Sequence, residues 1–330
     1  MQFGICFLPS GAAIMKTITQ YESSEFDLED LRGIKGKRKV IVVFSTFGER
    51  EASLIHDKIR LLRSGLGDFI DRILVSHRRT GAGEDATERR AREAWDGTEI
   101  LICNGSAVPD MGGEVGKGAD MRRALYHINT DCVKGADPRD VVVVFLDADV
   151  VPKYFGSHFV LALGGAVLRG HDFARASFWR EMGRIKKFVA QPLMSVIHHP
   201  DLARITDFHY PLSGEAAATL EFFNAVHFWQ RYGVETGINV ETCMGEYRVA
   251  DVNLGLYDHE HHRDLDIQKM AFGIIRTYLT QLRDYGIIQF ADNAFISDTF
   301  RVSFVDEKGE RRHFEFDLTE IKYAPLKDIL

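Results

Sequence analysis

Cysteine is scarce in this 330-residue chain: Cys6, Cys103, Cys132 and Cys243 are scattered and form no CxxC pair. A disulfide-stapled secreted scaffold is excluded, and a reducing, cytoplasmic setting is expected. Long apolar runs are also missing. No stretch approaches the ~20 apolar residues of a membrane span. The mildly apolar start MQFGICFLPSGAAIMK lacks the basic n-region and the unbroken h-region of a signal peptide. Positive charge is not in excess either. The formal net charge of -7 removes the electrostatic basis for nucleic-acid binding, so any anionic ligand must be held by local basic groups. There are no repeats and no low-complexity tracts. Neither GxxxxGK[ST] nor GxSxG occurs, which excludes a P-loop and a nucleophile elbow.

What is present is an ordinary globular composition, 45% hydrophobic and 27% charged. At this length it supports one large α/β domain with appendages or two smaller domains. KVIVVFSTF at 39–47 is a short apolar run rich in β-branched residues, the pattern of a strand buried on both faces. Helical spacing follows over 49–64, then strand patterns at 71–76, 99–104 and 140–151, with a helix over 119–129 between the last two. The alternation predicts an α/β fold, a mostly parallel sheet flanked by helices. Further on, the pattern predicts a strand at 173–179, a helix over 183–198, a C-terminal helical extension over 266–290 and a β-hairpin over 301–318 about Lys308-Gly309. The implied divisions are an irregular N-terminal arm at 1–38, an α/β half at 39–150, a second half at 151–265 and the C-terminal extension at 266–330.

Open parallel sheets bind ligands beyond the carboxyl ends of their strands. Asp147-Ala148-Asp149 closes the most apolar strand of the chain, where two acids are costly to bury without a cation or donors to compensate them. A hard divalent ion such as Mg²⁺ or Mn²⁺ suits those carboxylates and can bridge them to a diphosphate. GGEVGKGADMRRAL at 112–125 sets Lys117 between two glycines just before a helix, where backbone can approach an anion. Asp258-His259-Glu260-His261-His262-Arg263 is dense in metal donors, although no set of four cysteine and histidine ligands at structural-zinc spacing accompanies it. Phe178 to Lys187 contributes Arg180, Arg184, Lys186 and Lys187, and arginine forks match carboxylate and phosphate oxygens.

In order along the chain, GKGADMRRAL, VVFLDADV, PLSGEAAATLEF, RYGVETGINVET and VNLGLYDH resemble the glucosyl-3-phosphoglycerate synthases and their mannosyl relatives, retaining glycosyltransferases of the GT-A fold, over about 40–285. The resemblance implies that a hexose moves from a nucleotide-sugar, of UDP-glucose or GDP-mannose type, to 3-phosphoglycerate or a similar small acid. It implies that Ser45, Thr46, Phe47, Glu49, Lys117 and Asp147 hold the nucleotide and that Asp149 and His259 hold the metal. The Leu212 carbonyl would face the reacting centre, and Glu235 would orient the sugar hydroxyls. Arg180, Gly183, Arg184, Lys186 and His261 would meet the acceptor. A homodimer is compatible with this reading.

The chain departs from the family pattern at three places. Ser76-His77 stands where relatives carry an acid, Lys186 where they carry threonine, and His261 where they carry asparagine. The implied chemistry is front-face substitution, in which the leaving phosphate helps to deprotonate the acceptor hydroxyl. Two alternatives are a GT-A transferase with a lipid-phosphate acceptor and a non-catalytic sugar-nucleotide-binding regulatory protein.

Overall fold

A computed structural model describes residues 17–179, 183–258 and 264–330. In chain order its first half holds β1 (Ile18–Glu22), α1 (Leu28–Lys35), β2 (Lys39–Phe47), α2 (Ala52–Leu66), β3 (Arg72–Arg78), α3 (Ala86–Ala94), β4 (Glu99–Ile102), α4 (Lys117–His127) and β5 (Val141–Asp147). Then come α5 (His158–Leu168), β6 (Phe173–Trp179), α6 (Gln191–Val196), β7 (Ala216–Thr219), α7 (Leu220–Ala225), β8 (Phe228–Trp229), α8 (Val234–Met244) and β9 (Val249–Leu256). The chain ends with α9 (Asp264–Asp284), the hairpin β10 (Thr299–Val305) and β11 (Arg311–Asp317), and β12 (Lys322–Tyr323), which pairs with β8.

One eight-stranded sheet runs β1-β9-β6-β7-β5-β2-β3-β4, parallel except for β7. Alternation along the central strands explains why it is covered on both faces. Val142, Val144 and Leu146 enter one hydrophobic core, Val141, Val143 and Phe145 the other. β2 divides in the same way, Val40, Val42 and Phe44 against Ile41 and Val43. The expected hairpin is present, and the division at 150/151 falls within one continuous sheet.

One expectation is corrected. The described part of the arm is not irregular: β1 forms the sheet edge against β9, and α1, capped by the Asp27 side chain, packs Leu31 into the core. The expected helix over 183–198 is present over 184–196, with a π turn at Lys186–Ala190 that runs directly into α6. His198 and His199 lie beyond its end, before Pro200, which disfavours helix at the residue preceding it.

Candidate active site

The strand register brings the polar strand ends together. Ser45 pairs with Ser76 on one side and Asp147 on the other, and Phe47 pairs with Arg78. These ends open onto a cavity of about 720 Å³.

Its floor is acidic. Asp147 is held by Lys117, whose Nζ lies 2.7 Å from Asp147 Oδ1 and 3.0 Å from Glu235 Oε1. Burial opposes the charge on Lys117, but the Asp147 and Glu235 carboxylates outweigh it and raise its pKa above the ordinary lysine value. Beneath the Asp-Ala-Asp turn, buried Lys58 of α2 donates to the Ala148 carbonyl, and burial lowers its pKa to about 8. Asp149 makes no hydrogen bond or ion pair among the described residues. Beside it, the Glu51 carboxylate accepts the Phe47 N–H at 3.2 Å; burial raises its pKa, and the Asp149 charge adds to the effect. A carboxylate without a partner next to a second acid is a donor set that fits a hard divalent cation.

Three glycines make this arrangement possible. A Cβ on Gly214 would land on the Asp147 carboxylate and on Lys117 Nζ, so only glycine lets the 212–215 turn cross the floor. Gly116 (φ 147°) and Gly118 would collide with the carbonyls of Gln230 and Trp229. The close approach that they serve is therefore to β8, which the Ala119 N–H reaches through the Gln230 carbonyl at 2.9 Å. That contact aims the amino end of α4, and with it Lys117, at β5.

The far wall comes from distant segments. Leu212, Ser213 and Glu215 line it below Tyr257. The buried Glu215 carboxyl accepts from Ser213 Oγ at 2.8 Å and from Tyr257 OH at 2.9 Å, and burial followed by the Asp147 charge pushes its pKa up. Arg175, lowered to about 10 by burial, donates to the Ser213 carbonyl at 2.6 Å and to Asn239 Oδ1 at 2.9 Å, and so fixes that turn from below. Arg231 and Tyr232 continue the wall, together with Asp266, Ile267 and Met270 of α9. At the mouth Arg184 reaches Asp264 at 2.8 Å, and Lys186 sits 4.9 Å from the Tyr210 ring centroid.

The opposite wall is formed by Ser76, Arg78, Val115 and Asp120. Arg78 grips Asp120 with two bonds, at 2.5 and 2.8 Å, and Arg123 adds a third at 3.1 Å. His77 turns inward between Thr46 Oγ1 and Asp85 Oδ2, 2.8 Å from each, so it stands in the scaffold rather than in the cavity.

Ser45, Thr46, Phe47, Lys117, Asp147, Asp149, Gly183, Arg184, Lys186, Leu212 and Glu235 all line the cavity. Glu49 does not; its carboxylate accepts the Ala86 N–H at 2.9 Å in front of α3, and Glu51, two residues on at the N-cap of α2, takes the cavity position instead. Arg180, His259 and His261 lie outside the described residues. Sequence reasoning placed Arg78 among the strand-end candidates and missed Glu51, Lys58, Asp120, Glu215 and the α9 wall. A signal existed for Lys58, a cation in the apolar stripe Ile55, Ile59 and Leu62; none existed for α9, whose face toward the cavity depends on packing.

No family model matches the chain. Among curated proteins, the glucosyl-3-phosphoglycerate synthase of Mycolicibacterium paratuberculosis is 30% identical over 305 residues, which are 84% of this chain and 85% of that protein. Among solved structures, mannosyl-3-phosphoglycerate synthase from Rubrobacter xylanophilus superposes with a TM-score of 0.78 at 25% identity, covering 94% of this chain and 96% of that one. Glucosyl-3-phosphoglycerate synthase from Mycobacterium tuberculosis, solved with phosphoglyceric acid and separately with Mg²⁺ and UDP, gives 0.72 at 25% identity in each case, over 95% of this chain and 99% of that one.

Proposed function

The chain belongs to the glucosyl-3-phosphoglycerate synthase family, and from that premise we propose that it transfers glucose, with retention, from UDP-glucose to the hydroxyl of 3-phosphoglycerate. It is a metal-dependent glycosyltransferase of the GT-A fold. The observation that carries the reading is the Asp147–Lys117–Glu235 chain beside Asp149, which has no partner among the described residues, at the carboxyl end of β5.

Asp149 beside Glu51 fits a divalent cation, and the family resemblance assigns His259 as a second protein ligand. Mg²⁺ or Mn²⁺ bound there supplies Lewis-acid stabilisation of the departing diphosphate. Lys117 places a fixed positive charge between the nucleotide side and the sugar side, and Glu235, tied to it, orients sugar hydroxyls. Glu215 is engaged by Ser213 and Tyr257 and Glu235 by Lys117. The Leu212 carbonyl, which the family resemblance sets toward the reacting centre, would support the electron-poor anomeric carbon, in keeping with front-face substitution rather than a glycosyl-carboxylate intermediate.

Two features support uracil as the base. Guanine presents N–H donors that call for a free carboxylate, but Asp120 has both oxygens occupied by Arg78 and Arg123. Arg78 spends Nε and Nη2 on Asp120 and the Glu114 carbonyl, which leaves Nη1 as a donor suited to a uracil carbonyl. At the mouth, Arg184 and Lys186 beside Gly183 supply a cationic rim for the carboxylate and phosphate of the acceptor, and the family resemblance assigns Arg180 and His261 to the same acceptor. The test is a matrix of UDP-glucose, GDP-glucose, UDP-mannose and GDP-mannose against 3-phosphoglycerate, glycerate and a polyprenyl phosphate, read by mass spectrometry with Mn²⁺ present. UDP-glucose with 3-phosphoglycerate should give the dominant product. A dominant product from glycerate or the lipid phosphate would overturn the acceptor, and one from a GDP-sugar would overturn the base.

A further inference from the structure

At the amino end of β4, away from the cavity, three donors of different chemistry meet. Glu99 is the first residue of β4, His127 is the last of α4, and Cys132 closes the π turn Ile128–Cys132 that follows. The carboxylate, imidazole and thiol donor atoms all lie within 4.8 Å of one another, and all three residues are half-buried. His127 Nε2 is 2.5 Å from Glu99 Oε1, and Cys132 Sγ is 3.5 Å from Glu99 Oε2. Tetrahedral zinc, with Zn–S of ~2.3 Å and Zn–O of ~2.0 Å, sets S···O at about 3.5 Å, so the sulfur and the carboxylate are already at ligand spacing. The imidazole must withdraw from its hydrogen bond by less than about 1 Å to reach the corresponding N···O distance.

The surroundings favour the same assignment. His127 Nδ1 lies 3.1 Å from Asp131 Oδ2, and that carboxylate is held in turn by the Thr130 hydroxyl at 2.7 Å. This is the carboxylate–histidine arrangement that presents the other ring nitrogen to a metal. Arg72 approaches Glu99 Oε2 at 3.4 Å on the exposed side. A thiolate, a carboxylate and a neutral imidazole together carry the charge that balances one Zn²⁺. The mixed N, O and S set suits zinc and disfavours Mg²⁺ or Mn²⁺.

We propose that Glu99, His127 and Cys132 form a second metal site, specific for zinc or a similar borderline-soft divalent ion, that clasps the carboxyl end of α4 to the edge strand β4. Binding forms the S–Zn, N–Zn and O–Zn bonds, releases the thiol proton to solvent and leaves the fourth position to water.

The experiment uses the full chain carrying Asp149→Ala, which disables the cavity site, and adds Zn²⁺ followed by desalting. About one zinc per chain should be retained, and Zn²⁺ should protect Cys132 from a thiol reagent in both this and the unsubstituted chain. Cys132→Ser and His127→Gln should each weaken zinc affinity at least tenfold. The Co²⁺-loaded chain should show a thiolate charge-transfer band that Cys132→Ser removes. In the chain without Asp149→Ala, Cys132→Ser should leave glucosyl transfer unchanged, because the cluster stands at the opposite end of the strands. Equal zinc retention by all variants, no zinc retention at all, or a thiol unprotected by Zn²⁺ would overturn the proposal. Thiol protection needs no substitution at the cluster, so a variant that fails to fold does not spare it.

Discussion

The wall proposed for the donor and the wall proposed for the acceptor are built by different means. Ser45–Phe47, Ser76, Arg78 and Asp147 sit at the ends of neighbouring parallel strands whose register is fixed by two-sided burial. The acceptor wall draws on segments from Gly183 to Ile274 that meet only through close packing: the Gly214 crossing, the Arg175 support and the α9 face. Strand ends hold their groups as a by-product of the core, whereas the second wall depends on each individual contact. Chemistry common to a family belongs on the first kind of surface, and substrate choice on the second. The departure Lys186 falls on the second wall.

The comparison is broken most severely from the donor side. Asp149→Ala should lower transfer by about a thousandfold or more at any Mn²⁺ concentration, because it removes the proposed ligand of the metal that would stabilise the leaving diphosphate. Circular dichroism should show the fold intact, since Asp149 contributes nothing to the apolar cores. Substantial turnover in that variant would detach the strand-end acids from the mechanism.

On the acceptor side, Arg184→Ala should cost ~2–4 kcal/mol in kcat/KM for 3-phosphoglycerate. Among the described residues Arg184 pairs with Asp264, at the exposed mouth. Such a pair is worth little by itself, so the loss should appear in acceptor kinetics and not in stability. A fall in the melting temperature with unchanged acceptor kinetics would assign Arg184 to the scaffold.

Lys117→Ala sharpens the boundary between the walls, because Lys117 touches both Asp147 and Glu235. A rise of roughly tenfold in donor KM is expected, ~1.4 kcal/mol for one charge-assisted contact, with acceptor KM scarcely moved. If both KM values rise together, Lys117 serves the two walls equally.

The smallest effect on turnover is expected at Glu320, which braces the Arg231–Gly233 segment from the C-terminal extension by accepting the Gly233 N–H at 3.3 Å. Burial pushes its carboxyl from an ordinary 4.5 up to about 7. The folded state therefore binds the proton more tightly than the unfolded chain does. The stability it contributes is complete below pH 4.5 and is lost as pH rises to about 7, up to about 3 kcal/mol for a shift of this size. Glu320→Gln should flatten that part of the stability–pH curve in denaturant titrations while leaving transfer near normal. An unchanged slope would mean that Glu320 titrates like a solvent-exposed acid.

Much of the donor wall was legible because period and burial coincide. Apolar runs such as VVVVFLD mark buried strands, and charged residues at their ends stand out against that background. The hairpin about Lys308-Gly309 was legible for a similar local reason. Glu49 was misplaced because the start of α2 sets which of Glu49 and Glu51 turns toward the cavity, and helix phase at a first turn is not encoded by spacing alone. The role of Gly214 could not be read without knowing that residues 147 and 117 would lie under it. The arm was read as irregular because β1 carries a mostly exposed edge pattern with Ile18 as its one buried residue, too weak a signal without its partner β9.

One measurement tests the central assignment directly: UDP release from UDP-glucose, followed as 3-phosphoglycerate is titrated with Mn²⁺ held constant. If both substrates meet in the cavity between these walls, release should be slow without acceptor, rise saturably with it and match the glucosylated acid formed mole for mole. An acceptor-independent rate of UDP release, with no glucosylated acid formed, would contradict the assignment.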